Sequence, residues 1–145
     1  MTTKMLSKDQ FLAVSSHEQA EFLANLARAA LPVLARFSDA HHVAKSSVER
    51  IESYLAKGGA AVEAALHLNH PNVNLDLSAI YDFVDEDETA LDAIEVVVYA
   101  TGLVGRMAYQ SEGADHMPDT ISSATPDVAA NAINHFQNLV DRGAV

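Results

Sequence analysis

The stretch Glu88-Thr-Ala-Leu-Asp-Ala-Ile-Glu-Val-Val-Val-Tyr-Ala-Thr-Gly-Leu-Val-Gly-Arg-Met-Ala-Tyr-Gln110 decides the fold. At about 100° per residue, Glu88, Asp92, Glu95, Tyr99, Gly102 and Arg106 fall within one wedge of about 80°. Leu91, Ile94, Val97, Val98, Thr101, Val104 and Ala108 occupy the rest of the circumference. A helix that is apolar around most of its girth must be enclosed by others. Gly102 and Gly105 each forfeit about 1 kcal/mol of helix propensity relative to alanine, which implies that another chain segment comes close there.

Outward from this helix, the punctuation is helical on both sides. Ser7 with Gln10 and Ser15 with Glu18 have the spacing at which a serine and the third residue onward satisfy each other's first-turn amides, so two helix starts are expected. Leu23, Leu26, Ala27, Ala30, Leu34 and Phe37 then recur at three and four. Pro32 must kink or stop this run near Ala30, with a restart that has the proline in a first turn. Ser46 with Glu49 predicts a helix over Ser47 to Lys57, with Val48, Ile51 and Leu55 inward and Gly58-Gly59 as its stop. Ala60 to Leu68 is alanine-rich and helix-forming, and His70-Pro71-Asn72 ends it.

Val73, Leu75 and Leu77 alternate with polar residues, yet no partner strand is visible, so an extended connector is expected there. Ser78 to Val84 reads as a short helical turn before the acidic run. Thr125-Pro126-Asp127 opens a last helix, with Val128, Ala132, Ile133, Phe136, Leu139 and Val140 inside and Gly143 after its end. The fold class that follows is all-α: one domain over residues 1–145, a bundle of about six helices around the buried helix at 88–110.

Composition narrows the chemistry. The chain has 145 residues, 49% of them hydrophobic and 20% charged, which is the make-up of a packed domain. With no cysteine it has no disulfide, thiolate metal site or thiol nucleophile. Its net charge of −11 opposes binding to nucleic acid or an anionic membrane. The charge is lopsided: residues 1–57 hold six acids and seven bases, whereas residues 58–145 hold fourteen acids and only Arg106 and Arg142. No apolar run is long enough for a signal-peptide core or a membrane span, so a cytoplasmic location is expected.

No catalytic constellation emerges. Di-iron helices need two Glu-x-x-His pairs, and a single Asp39-x-x-His42 is the nearest spacing. His67-x-x-His70 lacks a third and fourth partner, so His41, His42, His67 and His70 read as surface or capping residues, and neither a metal nor a cofactor is expected. Carboxylates spaced by three (Glu18/Glu21, Glu49/Glu52, Asp82/Asp85 and Asp92/Glu95) resemble those with which all-α nucleotide pyrophosphohydrolases hold magnesium. That is the alternative reading, although Arg106 is the sole base near the central acids. A third reading is a symmetric homodimer formed through the apolar flank of the 88–110 helix.

The remaining feature is an acidic face: Asp82, Asp85, Glu86, Asp87, Glu88, Asp92 and Glu95, extended by Tyr99. Such a face suits a basic protein partner, with the tyrosine as an anchor. Asp87-Glu-Thr-Ala-Leu-Asp-Ala-Ile-Glu-Val-Val-Val-Tyr-Ala-Thr-Gly102, placed after a capped helix and a proline-containing segment, resembles the small acidic all-α immunity proteins of bacterial polymorphic-toxin systems, including YjaG-like helical relatives. The resemblance implies a protein that binds and neutralises a cognate toxin without catalysis or cofactor. It carries no residue assignments, so the proposed face rests on this chain's own charge pattern.

Overall fold

In the computed structural model, which describes residues 5–145, four long helices make the framework: α2 (Ser16–Ala30), α3 (Ser38–Lys57), α5 (Glu88–Ser111) and α8 (Asn131–Asp141). Short helices fill the corners: α1 (Lys8–Ala13), α4 (Ala61–Ala64), α6 (Asp119–Ser122) and α7 (Pro126–Ala129). No strand occurs among the described residues. The all-α bundle expected from the sequence is what forms, and α5 packs on α2, α3 and α8. Ala93, Ile94, Val96, Val97, Ala100 and Val104 of α5 are fully buried, as are Leu23, Leu26, Val48 and Leu139 of the surrounding helices.

The N-terminal signals act as read. The Ser7 hydroxyl accepts from the Gln10 amide at 3.1 Å while the Gln10 side chain accepts from the Ser7 amide at 2.9 Å. Ser15 caps α2 through the Glu18 amide at 3.2 Å. At Pro32 the α-helix gives way to a 3-10 turn, Leu31–Leu34, in which proline occupies the first turn where its missing N–H costs nothing.

The start of α3 differs from expectation. It begins at Ser38, not Ser47, because Ala40, Val43, Ala44, Ser47, Val48 and Ile51 form one unbroken buried stripe. Burial along that stripe outweighs the lack of a side-chain cap at Phe37 and overrides the local capping signal at Ser46. Ser47 is tolerated inside because its hydroxyl lies 2.7 Å from that of Thr101, itself fully buried on α5. Gly58 ends the helix with φ +74°, a conformation that a side chain resists.

Close approach explains both glycines of α5. A Cβ on Gly102 would stand 2.8 Å from the Ala124 Cβ, and one on Gly105 would stand 2.8 Å from the Ala65 Cβ. The small residues let the Ala65–Leu68 and Ile121–Ala124 segments press directly onto the central helix.

The 66–87 connection runs through three 3-10 turns, Leu66–Leu68, Val73–Leu75 and Ile80–Phe83. Val73–Leu75 turns instead of extending, since the Asn72 side chain accepts from the Asn74 amide at 3.1 Å. Two histidines behave differently here. The His70 Nδ1 accepts from the Asn72 amide at 3.0 Å, a local cap as expected. His67 is buried, contrary to its reading as a surface or capping residue, because its ring bridges to the Leu75 carbonyl at 2.7 Å.

The C-terminal helix is also split. Thr125 caps α7 and Pro126 opens it, but the helix stops at Ala129 and α8 resumes at Asn131. Val128 and Val140, expected inside, are 41% and 40% exposed. No helix among the described residues is long and apolar enough to cross a membrane.

Candidate functional site at the acidic end of the central helix

The acidic run becomes a turn and a helix start. Asp87 is the N-cap of α5, its carboxylate accepting from the Ala90 amide at 2.9 Å. The other oxygen of Asp87 pairs with Arg36, whose guanidinium lies 4.7 Å from the centre of the Phe37 ring. Val84 is fully buried. Between these two fixed points Asp85 and Glu86 both adopt left-handed backbone, with φ of 50° and 59°. For residues with a Cβ this costs of order 1–2 kcal/mol each, so their carboxylates are presented at an energetic cost.

The eight residues of the expected face divide into two groups. Asp82, Asp85, Glu86 and Glu88 are exposed and gather at the N-terminal end of α5. Glu88 meets Arg142 only loosely, at 3.8 Å. Asp87, Asp92, Glu95 and Tyr99 are engaged by other parts of the fold, Asp92 buried and the other three half-buried.

Asp92 is the deepest of them and is buried, a correction to its place on the acidic face expected to meet a partner. Helix α8 covers the part of the wedge that holds Asp92 and Tyr99. Its apolar residues Ala132, Ile133, Phe136 and Leu139 pack inward. One flank then delivers His135 Nδ1 at 2.7 Å, Asn138 Nδ2 at 3.3 Å and the Arg142 guanidinium to the Asp92 carboxylate. Burial alone pushes the Asp92 carboxyl up, but the hydrogen bonds from His135, Arg142 and Asn138, with the Arg142 charge, hold it below the usual carboxylate range.

Glu95 accepts from the Tyr81 hydroxyl at 2.8 Å. Burial and that bond to a carboxylate push the Tyr81 phenol far up. Tyr99 stacks on His135 with ring centres 6.0 Å apart, so the expected anchor is half-buried within the seam. Burial first and Glu95 second raise its pKa above that of free tyrosine.

His135, Asn138, Arg142 and Arg36 escaped the sequence reading. A signal existed for three of them. Positions 135, 138 and 142 lie on one flank of the apolar stripe of α8, and Arg142 is one of two bases in a segment of fourteen acids.

The paired carboxylates are dispersed. Glu18 bonds the Ser15 hydroxyl, Glu21 lies 2.6 Å from His17, and Glu52 pairs with Arg28. Among the described residues no three His, Asp or Glu side chains come together in a metal-binding group. Neither a family model, a curated protein nor a solved structure matches this chain.

Proposed function

We propose that this protein is a non-catalytic inhibitor, of the kind represented by bacterial immunity proteins, that docks a basic partner on the exposed end of α5. The observation that carries this reading is the mounting of Asp82, Asp85, Glu86 and Glu88. Four exposed carboxylates are gathered at one end of the central helix, and two of them sit on left-handed backbone held between buried Val84 and the capping residue Asp87. Self-repulsion and backbone strain both oppose that arrangement, and a cationic surface placed against it relieves the first.

The internal half of the acidic set supports the same reading. Asp87, paired with Arg36, and Asp92, held by Arg142, fix the helix end from two sides, so the exposed group is presented on a rigid base. A partner built to bind phosphates, such as the cleft of a nuclease toxin, meets carboxylates in their place. Phe83, half-buried between Asp82 and Asp85 in the chain, supplies apolar area beside the charges. The magnesium hydrolase reading has less support, since the Glu18/Glu21 and Asp92/Glu95 carboxylates are each taken up by separate side chains.

Affinity capture from the source cell tests the proposal, with the protein and its Asp82→Asn, Asp85→Asn, Glu86→Gln, Glu88→Gln variant run in parallel. One basic protein retained in near-equal amount by the first and lost from the second is the expected result. Equal retention by both contradicts the assignment of this surface.

A further inference from the structure

We propose that His67 is a proton-operated latch that holds the 69–77 loop closed at neutral pH and releases it on acidification. The ring is buried in the connection between α4 and α5. Its Nδ1 lies 2.7 Å from the Leu75 carbonyl, which only accepts, so Nδ1 carries the proton and donates. Nε2 then holds the lone pair, and it is the buried side-chain nitrogen or oxygen that finds no partner among the described residues. A second proton can enter only at Nε2, where it creates a buried charge and a donor with nothing to receive it.

The surroundings make that charge unwelcome. Arg50 of helix α3 acts on the ring through its charge, and Arg50 is itself paired with Glu63 of α4 at 2.7 Å. From the loop come His70, whose ring stacks on that of His67 at 5.4 Å, and Asp76. The Asp76 carboxylate is occupied by the His70 amide at 2.9 Å and by the Ser78 amide and hydroxyl. Helix α5 meets this segment through Gly102 and Gly105, and α6 through the Thr120 hydroxyl on the Leu68 carbonyl. Burial first, with Arg50 and His70, holds the His67 imidazole below the ordinary histidine range, against the opposing pulls of the Leu75 bond and the Asp76 carboxylate.

His67 also joins the two ends of the loop. Its carbonyl accepts from the Leu77 amide at 2.6 Å while its ring holds Leu75, so expulsion of the imidazolium frees both attachments together. Leu77, fully buried in the closed loop, becomes accessible when the loop opens. The direction is set by linkage. The open form binds a proton near the free-histidine value of about 6.5 and the closed form only at lower pH, so opening grows as pH falls between them.

Nuclear magnetic resonance on the whole chain tests this, following the His67 ring and the Leu77 amide from pH 7.5 to 5. The expected result is one midpoint shared by both signals. Leu77 protection, corrected for intrinsic exchange, should fall by up to about tenfold per pH unit, the limit for uptake of one proton. In His67→Asn, which keeps a donor toward Leu75 but cannot take up a proton, Leu77 protection should be independent of pH. His70→Asn separates the neighbour, and in it the Leu77 transition should persist. A Leu77 amide that keeps its protection throughout, or whose transition vanishes in His70→Asn, overturns the proposal. If His67→Asn does not fold, the wild-type and His70→Asn titrations decide the matter alone.

Discussion

Asp92 on α5 and His135 on α8 meet at 2.7 Å, and the same carboxylate takes Asn138 and Arg142, so one acid fastens the last helix to the central one. Asp92→Asn removes the charge these donors are arranged around. A loss of about 2 kcal/mol is expected at neutral pH, less than the 3–5 kcal/mol of a fully buried pair because His135 and Arg142 are partly in water. The carboxyl is depressed in the folded state, so its contribution is present above the unfolded value of about 4 and disappears as pH falls through the native value. Urea midpoints measured from pH 7 to 2 should therefore differ between the two proteins at the upper end and converge at the lower.

Gly105→Ala gains about 1 kcal/mol of helix propensity but puts a methyl group 2.8 Å from the Ala65 Cβ and 3.2 Å from the Ile121 Cδ1. Overpacking against a backbone-anchored methyl should win, with a net loss of about 1–2 kcal/mol. Ala65→Gly in the same chain should recover part of it. A double-mutant cycle in urea checks the coupling, and an additive result rules out the contact.

Ser47 and Thr101 form an isolated polar pair in the core, 2.7 Å apart. Ser47→Ala should cost about 1–3 kcal/mol, since the Thr101 hydroxyl is left buried without its partner. Adding Thr101→Val should restore most of that loss, because removing both polar groups leaves a shape-matched apolar contact. Thermal unfolding of the unaltered protein and the two variants gives the comparison.

Glu86→Gly relieves a left-handed residue on the acidic turn. Stability should rise by about 1 kcal/mol, offset by the greater entropy of the unfolded chain. Partner binding should weaken at the same time, since one carboxylate is removed. Opposite signs for unfolding free energy and affinity mark the turn as built for contact; a rise in both contradicts that role.

Much of the fold was legible because its signals are local. The caps at Ser7 and Ser15 and the break at Pro32 each lie within one or two turns of chain, and the apolarity of most of α5's circumference is read from one continuous stretch. Where the reading failed, a tertiary contact overrode a local cue. Ser46 carries a valid capping signal, but the buried stripe from Ala40 to Ile51 draws the helix start back to Ser38. The site was half legible for the same reason. The charge pattern finds the carboxylates, yet only packing reveals that α8 covers Asp92 and that Arg36, 51 positions away, neutralises Asp87. His67 illustrates the limit from the other side: its spacing from His70 reads as a weak ligand pair, and its burial follows from the path of the loop.

The four exposed carboxylates define the proposed docking surface, and association kinetics with the captured partner across ionic strength test it. The protein should associate rapidly at low salt and slow steeply as salt is raised. The variant neutral at Asp82, Asp85, Glu86 and Glu88 should be about tenfold slower or more at low salt, with a nearly flat salt dependence. Identical rates and identical salt slopes for the two proteins would contradict the claim that this end of α5 is the docking surface.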